Sequence, residues 1–151
     1  MATPFVPADF EPPTRLDGDG FWLEPLGPEH NEADHAAWTS SIEHIYATPG
    51  FPQGNWPHEM SLDDNLADLV RHAEDFRKRR GFTYTVRAAD DGDVIGCVYI
   101  YPDPDGTDAH VSSWVRVSHA QLDAPLAHAV TDWIERSWPF AHIRYAARSD
   151  G

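Results

Sequence analysis

The most informative segment of the chain is Val94-Ile95-Gly96-Cys97-Val98-Tyr99-Ile100-Tyr101. Apolar residues occupy both faces of this segment, which is typical of a central strand that is covered on both sides. The preceding segment, 82–88, alternates between apolar and polar residues, and the turn sequence Asp90-Asp91-Gly92 separates the two. Together they predict an antiparallel hairpin in the middle of a sheet.

Downstream of this hairpin, the sequence predicts a strand, a helix and a second strand. The first strand is expected at 110–117. The helix is expected to have Asp123 as its N-cap and to run to about Trp138, where Pro139 ends it. The second strand is expected at 143–146. Because a strand–helix–strand crossover brings its strands parallel and side by side, we expect these two strands to be neighbours.

Upstream of the hairpin, the clearest helix is predicted at 61–80. Ser61 with Asp64 resembles a capping box, and apolar residues recur at steps of three and four. The basic run 77–80 lies in the last turn, where cations favour the negative end of the helix dipole. A helix end therefore explains this run better than an anion site does.

The first third of the chain predicts one short strand and one helix behind an N-terminal arm. The strand is expected at 21–26, and Pro28 is suited to the first position of a helix. Residues 1–20 are rich in Pro, Asp and Gly and predict a loose arm. The length of 151 residues suits a single domain, which we place at 21–151.

The chain is strongly acidic, with a formal net charge of −14 and a single lysine, Lys78. Such a surface repels nucleic acid and anionic membranes, because both bind through basic patches. Solubility or a salt-adapted source explains the acidity, and attraction of a cationic substrate is the alternative. The sequence has neither an apolar run of about 18 residues for a membrane span nor an N-terminal signal peptide.

Cys97 is the one cysteine of the chain, so no disulfide within it is expected. This fits a reducing compartment and predicts a cytoplasmic protein. Because Cys97 lies in an apolar segment, we expect a buried small residue rather than a nucleophile. The histidines lack the spacing of metal ligands, so no metal site is predicted.

The predicted order of elements resembles the fold of the GNAT acyltransferase superfamily. The resemblance is carried by 21–26 with Pro28-Glu29-His30, and by 81–86 with 93–100, including the step Val94-Ile95-Gly96. It covers roughly residues 20–147. It implies an α/β (α+β) fold with a mixed, mostly antiparallel sheet and helices on both faces, truncated after the fifth strand of that fold.

In the GNAT superfamily, the fourth strand pairs through its backbone with the pantetheine arm of acetyl-CoA, and the next loop binds the pyrophosphate at a helix N-terminus. The resemblance assigns the pantetheine contacts to Trp114, Val115, Arg116 and Val117, and the pyrophosphate contacts to Gln121, Ala124 and Leu126. The loop departs from the family pattern, because Ala124 and Leu126 replace expected small residues or glycines and Pro125 lacks an N–H. Asp123 also places a carboxylate near the phosphate. Ordinary helix capping is the alternative explanation of this loop.

Acetyl transfer to an amine requires a base, which the resemblance places near the fourth strand. The local candidates are Asp108 and His110, with a turn residue and an edge histidine as the structural alternative. The candidate walls of the substrate cleft are Phe51, Trp56, Tyr99 and Tyr101, although core packing explains the two tyrosines equally well. The resemblance implies a small-molecule or peptide amine as the acceptor.

Two functions are therefore open. The first is an acyl-CoA-dependent N-acetyltransferase of GNAT type, with acetyl-CoA as co-substrate. The second is a catalytically inactive GNAT-like module for ligand binding or dimerisation, which is favoured by the altered loop and by the lack of a match to the family's late tyrosine. Because the last strand would have a free edge, we expect the N-terminal arm or a second subunit of a homodimer to cover it.

Overall fold

The computed structural model describes residues 4–51 and 56–148. These residues form a six-stranded sheet in the order β1-β2-β3-β4-β5-β6, antiparallel throughout except for the parallel pair β5 and β6. The strands are β1 (Leu16–Asp17), β2 (Phe21–Pro25), β3 (Phe82–Ala88), β4 (Val94–Tyr101), β5 (Ala109–Val115) and β6 (Ile143–Tyr145). The helices are α1 (Asn31–Thr39), α2 (Ile42–Tyr46), α3 (Leu62–Arg77) and α4 (Asp123–Ser137), and two 3₁₀ segments, Pro28–His30 and Val117–Leu122, precede α1 and α4.

The two topological predictions are confirmed. Strands β3 and β4 form the central antiparallel hairpin, and β5 and β6 are parallel neighbours connected through α4. The mixed sheet with helices on both faces is the predicted fold class. The last strand is the sixth rather than the fifth, because the short strand β1 forms within the segment that the sequence analysis assigned to the arm.

Two hydrophobic clusters lie on opposite faces of the sheet, because side chains alternate along each strand. One contains Val98 and Ile100 of β4 with the inward side of α4, namely Leu126, Val130, Trp133 and Ile134. The other contains Cys97 of the same strand together with Trp38, Leu69 and Trp114. The helices α1 and α3 therefore cover the face opposite α4.

Helix α3 is rotated relative to its apolar stripe. Leu69 is fully buried, but Leu62, Leu66 and Val70, which belong to the same recurring set of apolar residues, are exposed. The buried polar residue Asn65 faces inward instead and hydrogen-bonds to the indole of Trp38 and to residues of α1. A buried amide must keep its partners, so the polar contacts with α1 fix the orientation of the helix.

The N-terminal segment packs against the domain and is not a loose arm. Val6 is buried, the ring of Phe5 stacks on Phe140, and the Tyr84 hydroxyl donates to the carbonyl of Pro13. This segment pairs with β2, at the edge of the sheet opposite β6. Within the described residues, the outer edge of β6 has no strand partner, so the arm does not provide the predicted strand cover there.

Gly96 lies where β4 approaches β5 most closely. A Cβ added to it would lie 2.4 Å from the carbonyl oxygen of Trp114 and 3.3 Å from the Cα of Val115. Because both obstacles are backbone atoms of the paired strand, we expect Gly96→Ala to lower the free energy of unfolding by about 1–3 kcal/mol. Denaturant unfolding measures this change.

Gly27→Ala is the matched control for this prediction. A Cβ at Gly27 meets only the carboxylate of Glu29, whose side chain is exposed and can move aside. Gly27 is itself buried, but because its obstacle is a flexible exposed side chain rather than backbone, the control should lose clearly less stability than Gly96→Ala. Equal losses of stability in Gly96→Ala and Gly27→Ala would contradict the explanation that Gly96 is required because β4 lies so close to β5.

Candidate functional site

A cavity of ≈ 410 Å³ opens on the face of the sheet that α1 and α3 cover. The predicted cleft residues all line it: Phe51, Trp56, Tyr99 and Tyr101. The strand pleat explains part of this, since Tyr101 pairs with His110 and Tyr99 pairs with Ser112, and all of these residues point to the same face. Residues 52–55 of the predicted aromatic loop lie outside the described residues.

The aromatic side of the cavity is a connected set of rings. Trp56 lies 5.5 Å from Trp38, 5.9 Å from Trp114 and 6.2 Å from Phe51, measured between ring centroids. The indole of Trp114 donates a 3.0 Å hydrogen bond to the Tyr99 hydroxyl. Burial raises the pKa of Tyr99 well above its usual value, so this side chain is a neutral part of the wall.

The polar side of the cavity carries two carboxylates and one guanidinium. Asp34 is 4% exposed, lines the cavity, and accepts a 3.1 Å hydrogen bond at Oδ2 from the amide of Asn65. Burial raises the pKa of Asp34 to about 6, partly offset by the Asn65 hydrogen bond, so the carboxylate is still mostly ionised at pH 7. Asp68 also lines the cavity, where it pairs with the guanidinium of Arg71 at 3.4 Å. Asp34 is therefore the carboxylate that can attract a positively charged ligand beside the aromatic faces.

His72 lies between the cavity and the sheet. Its Nδ1 is 2.9 Å from the Tyr101 hydroxyl and 3.0 Å from the Thr83 hydroxyl, and Tyr101 donates to Asp75. Burial lowers the pKa of His72 to about 4, so the imidazole is neutral at pH 7. The effect of this network is to hold Tyr101 in place.

Sequence reasoning missed the polar residues that α1 and α3 bring to the cavity, namely Asp34, Asn65, Asp68, Arg71 and His72. They lie on α1 and α3, where a polar residue usually indicates the solvent side of a helix. The available signal was positional: Asn65 and Leu69 are four residues apart and therefore share one face of α3. Only the structure reveals that the side of α3 with Asn65 and Leu69, and not the side with Leu62, Leu66 and Val70, turns inward.

The two residues predicted as catalytic are in different surroundings. His110 lines the cavity, and its pKa is lowered by burial and by the nearby Arg144, so the ring is neutral at pH 7. Asp108 is not among the residues that line the cavity. Its carboxylate accepts hydrogen bonds from the backbone N–H groups of Ala141 and His142, which lower its pKa. This geometry favours a structural role for Asp108, holding the turn before β6.

Strands β5 and β6 part after a short stretch of pairing, which runs only from Ala109 opposite Ile143 to Val111 opposite Tyr145. The resemblance to the GNAT superfamily places the acyl donor beyond these pairs, and we call this space the acyl-donor cleft as an expectation. It is bounded by Ser113 on β5, Ala146 after β6 and Asp123 at the start of α4. The guanidinium of Arg148 lies in this cleft and hydrogen-bonds to all three residues.

The residues assigned to the pantetheine arm belong mainly to the core and the sheet. The backbones of Trp114 and Val115 pair with β4, and both side chains are fully buried. The N–H of Arg116 donates to the carbonyl of Ile95. The N–H of Val117 donates to the hydroxyl of Ser41, while its side chain is 53% exposed.

The predicted pyrophosphate loop forms a 3₁₀ segment that continues into α4. Gln121 is exposed, Ala124 is half-buried and Leu126 belongs to the core. Asp123 is the first residue of α4 and its N–H donates to the carbonyl of Ala120. The prediction that Asp123 caps the helix is wrong, because its carboxylate binds Arg148 and makes no capping hydrogen bond.

These contacts decide whether acetyl-CoA fits the cleft in this conformation. The N–H groups of Val117 and Asp123 are used within the chain, a carboxylate stands at the start of α4, and Arg148 fills the space between the strands. A phosphate site requires free N–H groups and no competing negative charge. The residues therefore do not fit the group as they are arranged here.

No protein family profile and no curated protein sequence matches the chain. Its fold is similar to that of the ribosomal-protein-S5-alanine acetyltransferase from Vibrio fischeri, with 12% identity, a TM-score of 0.67, and coverage of 87% of this chain and 72% of that one. The apo form of RimL, a ribosomal L7/L12 alpha-N-protein acetyltransferase, matches with 13% identity, a TM-score of 0.68, and coverage of 91% and 73%.

The microcin C7 self-immunity acetyltransferase MccE, solved in complex with acetyl-CoA and AMP, is similar at 12% identity and a TM-score of 0.62. That match covers 78% of this chain and 62% of MccE. The protein is thus a mixed α/β domain with a parallel crossover at one end of its sheet. The chain has the GNAT fold, as its sequence predicted.

Two features are absent from the described residues. No helix among them combines the length and apolar character that crossing a bilayer requires. No group of three or more His, Cys, Asp or Glu side chains in residues 4–51 and 56–148 is arranged to hold a metal ion.

Proposed function

We propose that the chain is an acyl-CoA-dependent N-acetyltransferase of GNAT type that acts on a small-molecule or peptide amine. The observation that carries the proposal is the cavity beside β4 and β5, where buried Asp34 faces a wall of aromatic rings. An acetyltransferase for amines must first bind an ammonium group. This cavity offers the two features that bind one, namely a carboxylate and aromatic faces.

The amine is expected to enter as a cation and to react as a neutral base. Asp34 anchors the ammonium, and Trp56 and Phe51 contact its carbon substituents. The proton must then leave the nitrogen, because only a free lone pair attacks a carbonyl. His110, neutral and lining the cavity at β5, is the proposed acceptor of this proton.

Calorimetric titration of a series of primary amines tests the binding step. Each amine is compared with the alcohol of the same carbon skeleton, which has the shape but not the charge. We expect saturable binding of at least one amine and no saturable binding of its alcohol. Equal heats for amine and alcohol across the series would contradict a cation site.

A second candidate, a GNAT-like ligand-binding module without transfer activity, is favoured by the position of Arg148. Its guanidinium occupies the acyl-donor cleft, and the N–H groups of Val117 and Asp123 are already paired. In this case amines bind but no acetyl group is transferred. Measurement of amine binding and of thiol release from acetyl-CoA in the same preparation therefore separates the two candidates.

We also propose that the protein is a cytoplasmic homodimer that pairs through the outer edge of β6. The edge has no strand partner among the described residues, and an unpaired edge invites another strand. Cys97 is buried as a free thiol, which suits a reducing compartment. A mass of one subunit in light scattering at high protein concentration would contradict the dimer.

A further inference from the structure

We propose that Arg148 closes the acyl-donor cleft and competes with the acyl donor for it. This inference rests on the proposed function, because it concerns the donor side of the same site. According to this proposal, Arg148 and its partner Asp123 determine how tightly the acyl donor binds. We refer to these two residues as the Arg148–Asp123 pair.

The guanidinium of Arg148 joins three separate parts of the chain. Its Nε donates to Asp123 Oδ2 at 2.8 Å, its Nη1 to the carbonyl of Ala146 at 2.8 Å, and its Nη2 to the carbonyl of Ser113 at 2.7 Å. The side chain is only 2% exposed. A group with this many contacts at this depth fills the cleft rather than lying over its mouth.

The bond to Ser113 takes an acceptor from the strand that a donor would use. Beyond Val111, β5 has no partner in β6, so the backbone groups of β5 on that side are available to a third group. Arg148 takes the carbonyl of Ser113, and the Ser113 hydroxyl lies 2.5 Å from the hydroxyl of Tyr145. An arm that pairs with this stretch of β5 must displace the guanidinium.

The bond to Asp123 controls the charge at the start of α4. Without Arg148, the carboxylate would stand unpaired beside any phosphate at this helix end and would repel it. One oxygen of this carboxylate, Oδ1, is buried and has no hydrogen-bond partner in the described chain. The pair is therefore incompletely satisfied, and such buried pairs add little to stability.

Closure of the cleft and a purely structural role for Arg148 have different consequences. A purely structural contact would stabilise the fold and leave the affinity for the donor unchanged. A group that closes the cleft instead lowers the affinity for the donor, because the donor must displace this group before it binds. Removal of the group therefore raises the affinity for the donor.

Titration of coenzyme A into the purified protein tests the proposal directly, with the double variant Arg148→Ala/Asp123→Asn compared with the wild type, because this variant removes the guanidinium without leaving an unpaired carboxylate at the start of α4. We expect the variant to bind coenzyme A about tenfold more tightly or better. Arg144→Ala is the matched control, because Arg144 is also a β6-side arginine paired with a carboxylate, Asp103, but its pair lies outside the cleft. The control should bind as the wild type does.

Asp123→Asn alone provides a second variant if the double variant does not fold. It removes the anchor of Arg148 and the repulsive charge together, so coenzyme A should again bind more tightly. Binding by the wild type as tight as by both folded variants would overturn the closure while leaving the proposed function intact. No binding by any of these folded proteins would overturn both.

Discussion

Asp34→Asn is expected to stabilise the folded protein at pH 7 and to abolish most of its amine binding. Asp34 is buried against α3 with one amide as its partner, and burial raises its pKa from 3.8 to about 6. A change of this size corresponds to a cost of roughly 3 kcal/mol for holding the charge in the folded state. We therefore expect Asp34→Asn to raise the free energy of unfolding by about 1–3 kcal/mol.

The dependence of the free energy of unfolding on pH shows whether the ionised Asp34 stabilises or destabilises the folded state. A carboxyl group whose pKa is raised on folding binds its proton more readily in the folded state, so its contribution to stability falls as pH rises from about 4 to about 6. The lowered pKa of His72 acts in the opposite direction over an overlapping range, since protonation in the unfolded state favours unfolding as pH falls. The wild-type profile alone is therefore ambiguous.

The difference between variant and wild type isolates Asp34. Denaturant unfolding from pH 4 to pH 8 should give a stabilisation that is largest above about pH 6 and disappears near pH 4. Asp132→Asn, an exposed carboxylate on α4, is the control and should stay within about 0.5 kcal/mol of the wild type at each pH. A destabilised Asp34→Asn at pH 7 would contradict the burial argument.

Loss of amine binding is the functional half of the same prediction. A hydrogen bond to a charged group contributes about 1.5–3 kcal/mol, so affinity for the best amine should fall by about one to two orders of magnitude. The loss should occur although the variant is the more stable protein. Unchanged amine affinity would remove Asp34 from the site.

Trp114→Ala is expected to produce the largest loss of stability. The indole is fully buried on β5, packs against Trp56, and donates its N–H to Tyr99. Its removal leaves a large void under the cavity and costs about 3–5 kcal/mol, a substantial share of the stability of a small domain.

Val117→Ala is the comparison for this tryptophan, because Val117 follows on the same segment with a largely exposed side chain. Thermal unfolding should place Val117→Ala within about 0.5 kcal/mol of the wild type. Similar losses in the two variants would mean that Trp114 does not support the core as described.

The sequence predicted the sheet because the strand patterns are strong. Val94–Tyr101 is apolar on both faces and is central, and the crossover rule placed β5 beside β6. The aromatic wall followed from the same pattern, since Tyr99 and Tyr101 alternate with buried Val98 and Ile100. Local periodicity was sufficient for these features.

The polar side of the cavity and the filled cleft were not predictable in the same way. Asp34 is brought to the cavity through the orientation of α1 and α3, which depends on the Asn65 hydrogen bonds across elements. Arg148 and Asp123 are 25 positions apart, and their contact arises only because β6 returns beside α4. The N-cap pattern correctly predicted that a helix starts at Asp123. It also predicted that the carboxylate would bond to the helix backbone, whereas the carboxylate binds Arg148.

Amine-dependent release of thiol from acetyl-CoA is the most direct test of the proposed transfer. It should be measured with the best-binding amine in the wild type, in the double variant Arg148→Ala/Asp123→Asn and in Asp34→Asn. We predict release that requires the amine, is faster in the double variant at low acetyl-CoA, and is largely lost in Asp34→Asn. No amine-dependent release from either the wild type or the folded double variant, while the amine still binds, would contradict the proposed acetyltransferase activity.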